Sequence, residues 1–308
     1  MRKGFFVAGI IIVLGLAAVY LFIPSNLNVE IVLPIKCNVD AADRALGDTS
    51  AGGRWWRDLP SGEMRWRVTG LLRRTIGVTI DDRGMSIPSQ LVVFPKVRID
   101  SCMLQWQCSL SSSANPIRRI ERYRQAKKIA ADMAGILGRL GSRLEDQRLM
   151  YGMSITEGNT TDSMLVSTVQ IFDRYPSDSA VYRLLGKLRQ FIARNGGHEG
   201  GYPMLNVTNQ LGGMYKAEIG LPTDREMKDE GDIRWRRLIR VVFLVSEVRG
   251  GDSTVREAVA QMGNYISDYQ RTVMAIPYQS LITDRMKEPD TSKWITRLYV
   301  PVYPHNYH

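Results

Sequence analysis

"SDSAVYRLLGKLRQFIARNGG", Ser177 to Gly197, and "GGDSTVREAVAQMGNYISDY", Gly250 to Tyr269, are two passages of one pattern, and their likeness decides the fold. In the first, Val181, Leu184, Leu185, Leu188, Phe191 and Ile192 recur at helical spacing, so one helix face is apolar. Val255, Val259, Met262 and Ile266 do the same in the second. Ser177 and Asp252 stand at the two helix starts and are expected as N-caps, each accepting a bond from an amide that the helix leaves unpaired.

Strands flank both passages in one order. "LVSTVQIF" precedes the first, and "YPMLNVT" and "MYKAEIGLP" follow it. "VVFLVSEV" precedes the second, and "VMAIPYQSLIT" and "WITRLYVPV" follow. The prolines keep step: Pro203 and Pro277 fall 26 and 25 residues after the caps, while Pro222 and Pro301 end the last strand of each copy. A strand–helix–strand–strand unit is therefore predicted twice, at about 163–223 and 238–303, within an α+β domain over 151–308.

"YPSDSAVYRLLGKLRQFI", the Pro-ended "EIGLP" and "YVP", "VRGG" before the second helix, and "AIPYQSLITDRMKEPDTSKWITRLYVPV" together resemble the GyrI-like, or bacterial transcription-activator effector-binding, domain of two SHS2 units. The resemblance implies two units packed with pseudo-twofold symmetry around a cleft. It further implies an amphipathic or cationic guest, stacked on aromatics and met by a buried glutamate. No helix-turn-helix accompanies the domain here, so the transcriptional role of its relatives does not carry over.

Upstream, "NVEIVLPIKC", "TIGVTI" and "MSIPSQLVVFPKVRIDSCMLQWQCSL" read as strands, with "NVDAADRALGD" a short helix and "TSAGGRWWRDLPSG" a loop. Asn115-Pro116 opens a long helix to about Arg148, with Ile120, Tyr123, Ala130, Met133, Leu137, Leu140 and Leu144 on its apolar face. Arg118, Arg119, Arg122, Arg124, Lys127 and Lys128 read as its solvated face. This order over 25–150 resembles the START-like (SRPBCC) helix-grip fold, which implies a sheet wrapped around its last helix. The chain as a whole resembles bacterial membrane-anchored proteins that join a START-like region to a GyrI-like domain.

Phe5 to Ile23 is nineteen residues without a charge, long enough as a helix to cross roughly 30 Å of hydrocarbon. Arg2 and Lys3 precede it, so an anchor over 1–24 is predicted at the inner membrane, with a cytoplasmic N-terminus and an extracytoplasmic body. A cleaved signal peptide expects a shorter core and a better cleavage site than "FIPSNLN". Cys37, Cys102 and Cys108 make no disulfide framework and read as buried thiols. The net charge of +10 is spread along the chain without a recognition motif, so no nucleic-acid partner is expected.

Neither a cofactor motif nor a metal-ligand spacing is present. His198 lies in a Gly-rich turn, and His305 and His308 at the terminus. The chemical candidate is Glu218: strand alternation puts Met214, Lys216 and Glu218 on one face, with Tyr215, Ala217 and Ile219 on the other. Glu218 either faces the cleft, where a partly desolvated carboxylate attracts a cation or acts as an acid–base, or it points to water. Glu247 is the second acidic candidate. Tyr175, Tyr202, Trp235 and Tyr278 are the aromatic candidates, since ring faces attract cations by about 0.5–2 kcal/mol each. "TDRMKEPDTSK", Thr283 to Lys293, reads as a charged hairpin tip held by mutual ion pairs among Asp284, Arg285, Lys287, Glu288, Asp290 and Lys293.

With no nucleophile, metal or cofactor signature, small-molecule binding is the leading expectation. The rivals are a Glu218-dependent hydrolase of reactive toxic molecules and a non-enzymatic module for protein partners.

Overall fold

The computed structural model describes residues 14–47, 55–56, 65–82, 84–159, 163–238 and 240–304. The chain divides into two units, Met1–Asp146 and Gln147–His308.

In the first unit, helix α1 covers 14–22 of the described residues. Strand β1 (Asn26–Ile35) and helix α2 (Val39–Gly47) follow, then β2 (Arg65–Leu72), β3 (Thr75–Asp82), β4 (Met85–Pro95) and β5 (Cys102–Ser111). The sheet is antiparallel in the order β1-β5-β4-β3-β2. Alternation buries Cys102, Leu104, Trp106, Cys108 and Leu110 of β5. Helix α3 (Pro116–Glu145) is capped by Asn115, whose side chain accepts from the Ile117 and Arg118 amides at 3.0 and 3.2 Å. It lies against β1 so closely that a Cβ on Gly141 would stand 2.8 Å from Leu33 Cδ2. All three cysteines are buried, and no disulfide joins them.

The buried stripe of α3 matches the predicted face from Met133 onward and departs from it before that. Arg119, Ala126 and Ile129 are buried, whereas Tyr123 is exposed. The cause is Arg119, which leaves the basic face: its Nε donates to the Ile23 carbonyl at 2.7 Å, and its guanidinium lies 4.8 Å over the Tyr20 ring.

That contact also bears on the predicted anchor. Among the described residues no helix is long and apolar enough to cross a membrane. Residues 5–13 of the apolar run lie outside the described residues. The single-pass anchor, and the extracytoplasmic placement that depended on it, are corrected accordingly.

The second unit begins with α4 (Gln147–Tyr151) and β6 (Thr156–Asn159). Its first copy is β7 (Ser163–Phe172), α5 (Asp178–Arg194), β8 (Met204–Asn209) and β9 (Tyr215–Thr223). After β10 (Arg234–Leu238), the second copy is β11 (Val242–Arg249), α6 (Asp252–Asp268), β12 (Tyr278–Leu281) and β13 (Ile295–Val302). One antiparallel sheet carries all eight strands in the order β10-β7-β9-β8-β12-β13-β11-β6. The copies thus meet at β8 and β12, where Leu205 pairs with Gln279. Each stands two residues after its copy's proline, so they are equivalent positions paired with each other, and the pseudo-twofold passes between them.

Ser177 caps α5, its hydroxyl accepting from the Ala180 amide at 3.3 Å. The second N-cap is Gly251 rather than Asp252, which is the first residue inside the helix. With that correction both prolines stand the same distance beyond their caps. Strand β12 is shorter than "VMAIPYQSLIT" suggested, because Pro277 offers no amide to a neighbouring strand.

The hairpin tip is also differently tied. Lys287–Asp284 at 3.7 Å and Lys293–Asp290 at 3.4 Å are the expected local pairs. Arg285 turns inward instead and is buried. Its Nη1 donates to Asp178 Oδ1 at 2.9 Å and Asp252 Oδ1 at 2.8 Å, in the first turns of α5 and α6, and its Nη2 donates to Thr296 Oγ1 at 3.1 Å. One cation therefore joins the amino ends of both helices.

Candidate functional site

In the first copy α5 is packed down on the sheet. Val181, Leu184, Leu185, Leu188, Phe191 and Ile192 are buried with Val166, Leu205, Ala217, Ile219 and Leu221. Counted from the N-caps, Leu184, Leu185, Leu188 and Phe191 correspond to Ala258, Val259, Met262 and Tyr265 of α6. Three of these are smaller or slimmer, and the fourth is turned away. Tyr265 packs edge-on to Tyr151 at 5.3 Å and stacks on Tyr269 at 4.5 Å, while the Tyr151 hydroxyl donates to buried Asp268 at 2.9 Å. α6 is thereby held toward α4, and it buries Val255, Ala258, Met262 and Asp268 where α5 buries six apolar residues.

Symmetry breaks in the sheet at the same place. Met204 pairs with Ser280, and the related pair would be Asn206 with Tyr278; that rung is absent from the recorded β8–β12 register. Asn206 Nδ2 donates instead to the Pro277 carbonyl at 2.8 Å. Beyond Leu205 and Gln279 the two strands part.

A pocket of about 330 Å³ lies in this parting. Val259, Met262, Gly263 and Ile266 of α6 form one wall, and Leu205, Val207, Leu298 and Val300 form the other. Val273 and Pro277 complete the apolar lining, with Asn206, Thr208, Tyr278, Gln279 and Tyr299 as its polar members. None of the described residues lining it carries a charge. Tyr278 and Tyr299 are stacked with centroids 4.9 Å apart, and Phe243 meets both edge-on at 5.8 Å. Burial, and then the neighbouring Tyr299, push the Tyr278 phenol well above its ordinary range.

Of the six residues singled out from the sequence, Tyr278 lines this pocket. Glu218 pairs across β9 with Val169 and with Asn206, itself in the lining, on the sheet face opposite α5. Its carboxylate is part-exposed and has Lys216 Nζ at 3.9 Å. Glu247, on β11, is exposed and paired with Arg297 at 2.9 Å. Counted back from Pro222 and Pro301, Arg297 occupies in the second copy the place of Glu218 in the first. Tyr175 lies just before α5, edge-on to Tyr215, with the Arg256 guanidinium 5.5 Å over its ring. Burial and then Asp252 push its phenol up, with the Gln279 side chain opposing that rise. Tyr202 is exposed ahead of β8. Trp235 packs on the first copy's core, across from Val166.

Met262, Val259, Gln279 and Tyr299 were not singled out. The signal that would have found them is the step from Leu184, Leu185 and Leu188 to Ala258, Val259 and Met262 when the copies are aligned. Among the described residues no group of three His, Cys, Asp or Glu could hold a metal; His305 and His308 lie outside them.

No family model matches the sequence, and no curated protein matches it. Among solved structures it is similar to EcmrR in a complex with DNA, at 18% identity and a TM-score of 0.45 over 63% of this chain and 73% of that one. It is similar to SAV2435 bound to tetraphenylphosphonium, at 18% and 0.34 over 51% and 100%. It is similar to a hydrolase from Listeria innocua, at 12% and 0.36 over 48% and 91%.

Proposed function

We propose that the second unit is a small-molecule binding module of GyrI-like type that takes one apolar or amphipathic guest between α6 and the parted strands β8 and β12. In the same reading the first unit, with its antiparallel sheet and long terminal helix, is START-like. The observation that carries the binding reading is the asymmetry of the copies: one chain path is repeated, the first repeat fills the space under its helix, and the second leaves an uncharged, aromatic-edged pocket there. Its volume falls at the small end of the range for ligand sites, about 300–1,000 Å³. Glu218 is placed beside this wall rather than in it, so Glu218→Gln should change affinity less than filling the pocket does.

Gly263 supplies the test. It lies on the pocket wall, and a Cβ there meets no heavy atom within 4 Å. Gly263→Leu therefore grows a side chain into open space and also removes a helix-interior glycine, a gain of about 0.5–1 kcal/mol. The neutral fluorophore N-phenyl-1-naphthylamine should brighten and saturate on the wild-type chain. On Gly263→Leu it should lose that signal although the variant melts at the same or a higher temperature. Tetraphenylphosphonium, the cation held by one structural neighbour, serves as the charged comparator. Undiminished fluorescence on the folded variant would rule out this pocket as the site.

A further inference from the structure

Resting on that binding reading, we infer that the pocket selects an electrically neutral guest: an apolar body carrying one hydrogen-bonding group, oriented by Gln279. A cation would have to leave water for a lining without an anion, and an anion for one without a base. Val259 and Val273 at the rim are 47% and 41% exposed, so the cost of an unpaired charge falls on the part of the guest that the pocket covers. The two carboxylates that sequence reasoning offered as counter-ions already hold cations of this chain, Lys216 beside Glu218 at 3.9 Å and Arg297 beside Glu247 at 2.9 Å. A cationic guest would have to displace one of them. The pocket follows α6 from Val259 to Ile266, away from the helix's amino end, so no cluster of unpaired amides substitutes for a base.

Gln279 is the feature the packing does not explain. Its equivalent across the pseudo-twofold is Leu205, buried in the first copy's core, and the two are paired. Leucine thus satisfies this backbone position in one copy, while the other places an amide in the pocket lining. The Tyr175 hydroxyl is a neighbour of that amide. A glutamine side chain carries two donors and a carbonyl oxygen, so this amide has capacity to bond a guest. An alcohol, phenol or carbonyl on the guest fits that capacity, and its apolar body lies against Val259, Met262 and Leu298.

One scaffold with four head groups tests this on the full chain: 2-naphthylmethanol, 2-naphthylmethylammonium, 2-naphthylacetate and 2-methylnaphthalene, each competed against N-phenyl-1-naphthylamine. The alcohol should bind at least about tenfold tighter than either ion, the scale of one hydrogen bond or one unpaired charge. Gln279→Leu, which copies the twin position, should weaken the alcohol about five- to tenfold, to the level of 2-methylnaphthalene, and leave 2-methylnaphthalene unchanged. Tightest binding by the ammonium or the acetate overturns neutral selection while leaving the pocket in place. Equal weakening of alcohol and hydrocarbon by Gln279→Leu overturns the orienting role. If none of the four competes, the inference falls, and the response of the fluorophore to Gly263→Leu separately decides whether the binding reading falls with it.

Discussion

In the first copy of the second unit Leu184, Leu185, Leu188 and Phe191 close the space between helix and sheet; in the second, Ala258, Val259, Met262 and Tyr265 stand at those places and a pocket remains. Trimming side chains is not sufficient to make such a space, because a helix settles inward where it can and the cost of a void falls as it does. The second copy also has a prop. Tyr151 bonded to Asp268, with the Tyr265 ring beside it, fastens α6 toward α4. Hollowing one of two like folds therefore takes smaller residues beneath the helix and an attachment above it.

The strongest way to break this comparison is to truncate both cores alike. Leu188→Ala removes a fully buried side chain from a filled space and should cost about 3–4 kcal/mol. Met262→Ala widens a space that is already open and should cost about 1–2 kcal/mol. Urea denaturation of the two variants reads the difference, and equal losses would mean that the second copy is as tightly packed as the first.

What joins the copies is a smaller but sharper question. Arg285→Met leaves Asp178 and Asp252 facing each other without their shared cation. Breaking a buried pair costs about 3–5 kcal/mol, and since the aspartates' side chains are 28% and 37% exposed, about 2–3 kcal/mol is expected here. Adding Asp178→Asn and Asp252→Asn to the same chain should restore much of it. A single variant as stable as the parent would show that the copies do not depend on this junction.

The least of the effects is a difference in acid response. Asp232 is held at about 2, first by the Lys187 ammonium of α5 and then by the Thr168 hydroxyl of β7. In α6 the place of Lys187 is taken by Gln261, so only the first copy has the pair. A carboxyl lowered from 3.8 contributes in full above its unfolded value and loses that contribution as pH falls toward 2. Lys187→Gln should therefore match the parent near pH 2 and fall below it above about pH 4. Parallel stability curves across that window would remove the pair from the account.

The elements legible in the sequence were those with strong periodicity and firm punctuation. α5 shows its six core residues at helical spacing, Asn115-Pro116 marks the start of α3, and alternation places Ala217 and Ile219 opposite Glu218. β6, "TEGN", and β10, "RWRRL", were missed because neither has an apolar rhythm of its own. They form by pairing along the edges, with β11 and with β7. At the site, Tyr278 was visible as an aromatic at a strand start. Met262, Gln279 and Tyr299 were not, since each is unremarkable until set against Leu188, Leu205 and Gly220 of the first copy.

By itself the sequence determined the doubling of a strand–helix–strand–strand path, because apolar spacing, caps and prolines are local properties that repeat wherever the pattern does. Tertiary structure alone decided that Arg285 leaves its hairpin to bind both helices, that Glu247 takes its cation from β13, and that the hollow lies under α6. Those outcomes depend on which groups meet across 33 to 107 positions of chain, and no local pattern records them.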